Sequence, residues 1–260
     1  MGLFGALTKK AEPSVADRMA AAYDAANRGD YAAALEIWTP LAHAGVARAA
    51  NNIGACFSEG MGVARDVALA ERWLNVAAEG GDAIGQRNLA SLYFKGDGVA
   101  QDNARAAALY RAAAEQGDAT AQDMLSFMLL EGEGVAADPV EARRYAVMAA
   151  AQGVASAMTR LGMIFHNALG ASRDVAAAAT WWQRSASRGD ADGQAMLGAA
   201  LHLGAGVPRD NVAAMVWLLR ARAGGSLLAG RFFEAVRATL TPADRVEAER
   251  RVAAPLEPAP

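Results

Sequence analysis

Three sets of residues in this chain have types and spacings that could do chemistry: a row of aspartates, a series of Gly-x-Gly turns and two histidines. Asp66, Asp102, Asp138, Asp174 and Asp210 recur every 36 residues, and carboxylates that face one another can work as general acid and base. Copies a whole repeat apart do not converge on one substrate, so the row is expected to have a structural duty. Gly60/Gly62, Gly96/Gly98, Gly132/Gly134 and Gly204/Gly206 each precede a helical pattern and could cradle a phosphate. A phosphate loop occurs once, with Lys and Ser/Thr behind it; here the turn recurs, and Ala168 replaces its first glycine in the remaining copy. His166 and His202 are equivalent positions one period apart, but two ligands without a third His or a matching carboxylate do not make a zinc site. No catalytic residue, metal or cofactor is therefore assigned. Cys56 is the sole cysteine, which excludes an internal disulfide and a CxxC site; beside Ile53 and Phe57 it is expected to be a buried structural thiol.

The elements that carry these residues follow from the same period. Gly45, Gly81, Gly117, Gly153, Gly189 and Gly225 mark it, and Gly62, Gly98, Gly134, Gly170 and Gly206 run in phase. A fixed period in the range of roughly 20–50 residues signals stacked supersecondary units. In the unit 83–118, Leu89, Ala90 and Tyr93 share one face while Arg87, Ser91 and Lys95 are polar, which predicts an amphipathic helix that Gly96 ends in a left-handed cap. Asp102 opens a second helix with Ala106, Leu109, Tyr110 and Ala113 on its apolar side, closed by Gly117. At 138–141 the spacing predicts Asp138 as N-cap, Pro139 at the first helical position and Glu141 closing a capping box. Ala77-Ala78, Ala113-Ala114, Ala149-Ala150 and Ser185-Ala186 mark close helix crossings. The bulky filler is expected from Trp73, Leu109, Tyr145, Trp181 and Trp217, and from Phe57, Tyr93, Leu129, Phe165 and Leu201.

A formal net charge of −3 without long runs of one sign argues against nucleic acid as a partner. No run of about 18 uncharged apolar residues is present, so no membrane span is expected and the location is taken as cytoplasmic. The N-terminal residues place Lys9 and Lys10 after a short apolar stretch, the reverse of a secretory signal. Leu3, Phe4 and Leu7 with those lysines allow a weak foothold on a membrane surface.

The unit Ala-x-x-x-Leu-Gly/Ala-x-x-Tyr/Phe-x-x-Gly-x-Gly-Val-x-x-Asp-x-x-x-Ala-x-x-Trp/Tyr-x-x-x-Ala-x-x-Gly closely resembles the Sel1-like repeat, a relative of the tetratricopeptide repeat. The match covers residues 47–226 as five full units; residues 15–46 look like a tetratricopeptide-like partial unit, and 227–252 like C-terminal capping helices, with Thr241-Pro242 starting a charged one. Residues 1–13 and 253–260 are expected to lie outside the array as a flexible N-terminus and a disordered tail. The resemblance implies an all-α fold, a right-handed α/α superhelical solenoid of helix–loop–helix repeats, whose first helices line a concave face that holds a partner protein or peptide. It implies a non-enzymatic scaffold or adaptor. A hydrolase or small-ligand-binding protein on the same solenoid is the alternative, and the absence of paired cysteines within the repeats argues against it.

If the tetratricopeptide phase transfers, the partner face follows positions i, i+3, i+7 and i+10 of each first helix. Among those positions, Arg48, Asn51, Arg87, Ser91, Phe94, Asp123, Phe127, Leu130, Thr159, Met163, His166 and His202 are taken as the partner groove. Phe94, Phe127, Leu130 and Met163 form an apolar middle flanked by Arg48, Asn51 and Arg87, the pattern of a peptide or helix groove with aromatic anchors and a polar rim.

Overall fold

A computed structural model describes residues 12–255 as fourteen α-helices, with no strand among the described residues. The first eleven residues, with the proposed membrane foothold, and the last five lie outside this range. The chain divides into two compact units, residues 1–102 and 103–260. The first holds α1 (Val15–Asn27), α2 (Tyr31–His43), α3 (Ala47–Glu59), α4 (Val67–Glu79) and α5 (Ala83–Lys95). The second holds α6 (Asn103–Glu115), α7 (Ala119–Glu131), α8 (Pro139–Ala151), α9 (Ala155–Asn167) and α10 (Val175–Ser187), then α11 (Ala191–Leu203), α12 (Asn211–Ala223), α13 (Ala229–Ala238) and α14 (Pro242–Val252). Within each unit, helices pack on their neighbours in chain order. Those opening a repeat (α3, α5, α7, α9, α11) are called A helices here, and those closing one (α4, α6, α8, α10, α12) B helices.

The recurring aspartates fix the loops. Asp66, Asp138, Asp174 and Asp210 each accept from a backbone N–H in the first turn of a B helix, which satisfies donors that have no intrahelical partner. Each also donates its own N–H to a carbonyl nine residues back, Asp66 to Phe57 at 2.9 Å and Asp210 to Leu201 at 3.0 Å, so one residue both closes the loop and starts the helix. Glu141 does not close the expected capping box, because both its oxygens are taken by Arg111 at 2.6 and 3.0 Å. Capping boxes form instead at Ser14 with Asp17 and at Thr241 with Asp244.

Small residues do set the crossings: Ala77, Ala113, Ala149 and Ala186 are fully buried, and a Cβ added to Gly85 of α5 would lie 2.6 Å from the Ala77 Cβ of α4. A device absent from the sequence reading recurs there. Gln86, Gln122 and Gln194 are buried, and each donates through Nε2 to a carbonyl eight residues back, near the C-terminus of the preceding B helix. That carbonyl would otherwise be an orphan acceptor in the core. The bulky filler is displaced by one position. Tyr145 is buried, but Trp73, Leu109, Trp181 and Trp217 are only half-buried, whereas Leu74, Tyr110, Trp182 and Leu218 just after them are buried.

Candidate functional site

The A-helix face of the first unit begins with an ion pair. Arg48 on α3 donates through Nε to Asp82 at 2.6 Å, and Asp82 also caps α5 through the Gly85 N–H at 2.8 Å. Asn51, only 4% exposed, accepts from Asn88 of α5 at 2.8 Å, and Arg87 lies against that same Asn88. Asn51 thus joins consecutive A helices and is not presented to solvent. Beyond it lies a cleft of about 520 Å³, lined by Ala55, Ser58, Glu59, Ser91, Lys95 and Asp97 among others. Arg65 braces one wall, donating to the Ser58 carbonyl at 2.9 Å and to Asp97 at 2.6 Å. Glu59 and Lys95 are exposed at the cleft and form no ion pair among the described residues. Phe94 is half-buried on the same helix as Ser91.

In the second unit the tie seen at Asn51 and Asn88 recurs two periods on, with charge. Asp123, 7% exposed, accepts from Arg160 of α9 at 3.2 Å and from Ser156 at 2.6 Å. The Arg160 guanidinium lies 5.3 Å from the centre of the Phe127 ring, so Phe127 shields an internal ion pair while keeping part of its surface open. Leu130 packs on the core that contains Ala146, Leu161 and Ile164. Thr159, 6% exposed, donates to Asp190 at 2.7 Å. Met163 is the exposed apolar member of this set, at 38%. His166 and His202 do not share a site: the His166 ring is 5.4 Å from Trp182, and His202 Nδ1 is 2.9 Å from Asn211. No cluster of three or more His, Cys, Asp or Glu suited to a metal occurs among the described residues.

Twelve positions chosen by helical phase therefore sort into two groups. Asn51, Asp123 and Thr159 hold A helices or loops together, with Arg48 and Arg87 engaged beside them. Ser91, Phe94, Phe127, Leu130, Met163, His166 and His202 retain surface. The partners Asn88 and Arg160 were not found by sequence; the signal was a polar residue 37 positions after a polar i+3 residue. The caps Asp82, Asp118 and Asp190 were also missed, although they recur in phase.

The residues 47–82, 83–118, 119–154, 155–190 and 191–226 each match the model of the Sel1 repeat. The chain belongs to the Sel1 repeat family. It is similar in structure to a Sel1 repeat protein from Oxalobacter formigenes, with TM-score 0.76 and 24% identity over 90% of this chain and 98% of that one. It is also similar to a protective antigen of uropathogenic Escherichia coli with an SLR fold, with TM-score 0.76 and 29% identity over 93% of this chain. The match spans 54% of that antigen. No curated protein matches the sequence. The fold is thus the all-α Sel1 solenoid of helix–loop–helix repeats, whose typical role is protein–protein interaction. No helix among the described residues is long and apolar enough to cross a membrane.

Cys56, in the first of these Sel1 repeats, is 1% exposed, and burial pushes its thiol up to about 11. A raised thiol pKa keeps the group protonated through the neutral range; the preference for the folded state is full below the unfolded value near 9 and is lost as pH rises toward 11. Alkylation by iodoacetamide at pH 8 is expected to be at least about a hundredfold slower in the native protein than in urea, because reaction must wait for opening. A native rate equal to the unfolded one would show that the thiol is accessible.

Proposed function

We propose that this chain is a non-enzymatic scaffold that holds a segment of a partner protein on its A-helix face, in the cytoplasm. The observation that carries the reading is the cleft between α3 and α5. It joins two hydroxyls, Ser58 and Ser91, to two opposite charges, Glu59 and Lys95, that lack an ion-pair partner among the described residues. Those positions differ from repeat to repeat while the framework around them does not, which is what selective recognition of a polar peptide requires. Phe94 is proposed to offer ring surface beside this cleft in the first unit, and Phe127, Leu130, Met163, His166 and His202 to offer apolar and ring surface within the second. Arg48, Asn51, Arg87, Asp123 and Thr159 are proposed to hold the face in shape.

The test is an affinity capture with the full chain, comparing the natural sequence with Ser91→Trp, which fills the cleft, and with the combined Phe94→Ala, Phe127→Ala and Met163→Ala variant. The proteins retained by the natural chain are expected to fall at least about tenfold in both variants, while the far-ultraviolet circular dichroism stays unchanged. Equal capture by all three folded proteins would refute the reading.

A further inference from the structure

The B helices carry a surface that the function above does not use. Helix α8 turns Ala142, Tyr145, Ala146 and Ala149 into the core, yet leaves Val140, Val147 and Met148 exposed at 60%, 46% and 38%. Val140, Val147 and Ala151 follow helical spacing and make one outward stripe, about 16 Å long at 1.5 Å per residue. A shallow hollow of about 710 Å³ lies over Val140, Arg143, Arg144, Val147 and Met148. A second, of about 300 Å³, runs between α8 and α10, framed by Val147, Ala151, Trp181, Arg184 and Arg188. Val147 lines both, so the two hollows adjoin at that residue, and together they are called the trough below.

The rim of this trough is cationic in a chain of net charge −3. Its nearby carboxylates are already occupied. Glu141 accepts from Arg111 and from Arg144, the latter at 3.2 Å, and these guanidinium partners hold its carboxyl below the usual range, Arg111 most strongly. Asp138 caps α8 through the N–H groups of Val140 and Glu141. Arg143, Arg184 and Arg188 are left with no carboxylate partner among the described residues. Arg184 lies 4.9 Å over the Trp181 ring and Arg188 donates to the Arg184 carbonyl, which holds both guanidiniums at the edge of the trough. Arginine in such a stacked arrangement is weakly hydrated and suited to pairing with carboxylates. An apolar floor three helical turns long between arginines is complementary to a helix with apolar residues on one face and acidic residues beside them.

We propose that the trough between α8 and α10 docks an acidic amphipathic helix of a partner protein, its apolar side chains on Val140, Val147, Met148 and Trp181 and its carboxylates on Arg143, Arg184 and Arg188. This surface shares no residue with the α3–α5 cleft.

The experiment uses the full chain and a fluorescein-labelled synthetic peptide with leucines at helical spacing flanked by glutamates, read by fluorescence anisotropy. Saturable binding is expected, weakened at least about tenfold by Val147→Asp and by the double change Arg184→Glu with Arg188→Glu. The milder pair Arg184→Gln with Arg188→Gln, which keeps the fold under minimal perturbation, is expected to weaken it severalfold. Ser91→Trp is expected to leave it unchanged, so failure of the cleft reading and failure of this one are separable. The same peptide with lysines for glutamates is expected not to bind. Absence of saturable binding, equal affinity for the natural and glutamine-substituted chains, equal binding of the lysine peptide, or a preference for phosphatidylserine vesicles over the acidic peptide would each overturn the proposal.

Discussion

Replacing Gly206 with alanine is expected to destabilise the protein by about 3 kcal/mol, whereas the same change at Gly189 is expected to cost only about 1 kcal/mol. Both glycines have left-handed backbones, with φ of 76° and 84°. Alanine in that region meets its own carbonyl oxygen, a penalty of roughly 1–2 kcal/mol shared by the two sites. Their surroundings differ. A Cβ on Gly189 meets nothing within 4 Å, while one on Gly206 would press onto the backbone carbonyl of Val175, the first residue of α10. Backbone at a helix start cannot swing aside as a flexible side chain can, so overpacking adds roughly 1–3 kcal/mol. Gly62 against Tyr31 and Gly98 against Val67 repeat the arrangement in the first unit, each loop resting on the start of a helix in the preceding repeat. The Gly-x-Gly turns are therefore seats for the stacking of one repeat on the next, which accounts for their recurrence without any phosphate. Urea unfolding followed by far-ultraviolet circular dichroism separates the two variants; similar midpoints for both would contradict the seating argument.

Trp182→Ala is expected to cost about 3–5 kcal/mol, and it should reverse the sign of a second substitution, Gly162→Ala. Trp182 on α10 is 2% exposed and donates its ring N–H to the Thr159 carbonyl at 3.3 Å. A Cβ on Gly162 of α9 would collide with the indole at Nε1 and Cδ1, so Gly162→Ala alone is expected to cost about 2–3 kcal/mol. Once the indole is gone the collision is gone as well. The added methyl then fills cavity and removes a glycine from the middle of a helix, a gain of roughly 0.5–1 kcal/mol. The equivalent pairs follow the same complementarity: Gly54 faces Leu74, Gly198 faces Leu218, and in the repeat 119–154 the two positions hold Ser126 and Ala146. Additive effects in the double-mutant cycle would contradict direct packing of Gly162 on Trp182.

Most of the fold was legible in the sequence because each repeat solves a local problem. A helix end needs a cap, a reversal needs a positive φ, and a close crossing needs a small side chain, so Asp66, Gly60 and Ala77 announce themselves and their period names the family. Local rules were less sure where two partners compete for one group. Glu141 has the spacing of a capping box, but Arg111, thirty residues earlier, offers it a bidentate charge-assisted pair.

The candidate site was legible only as a set of positions. The sequence by itself determined the repeat, the two helices of each unit, their start and stop residues and the Sel1 fold, because those depend on contacts within a turn or within one period. Tertiary structure alone decided that the indole of Trp182 is buried while Trp181 is half-open, that Asn51 and Asp123 are consumed by Asn88 and Arg160 on the next A helix, and that Ser58 and Ser91 border a cleft. The physical reason is that helical phase places a side chain on a face, whereas exposure depends on the angle and volume of the neighbouring helix, and neither is encoded in the spacing of the residues that meet it.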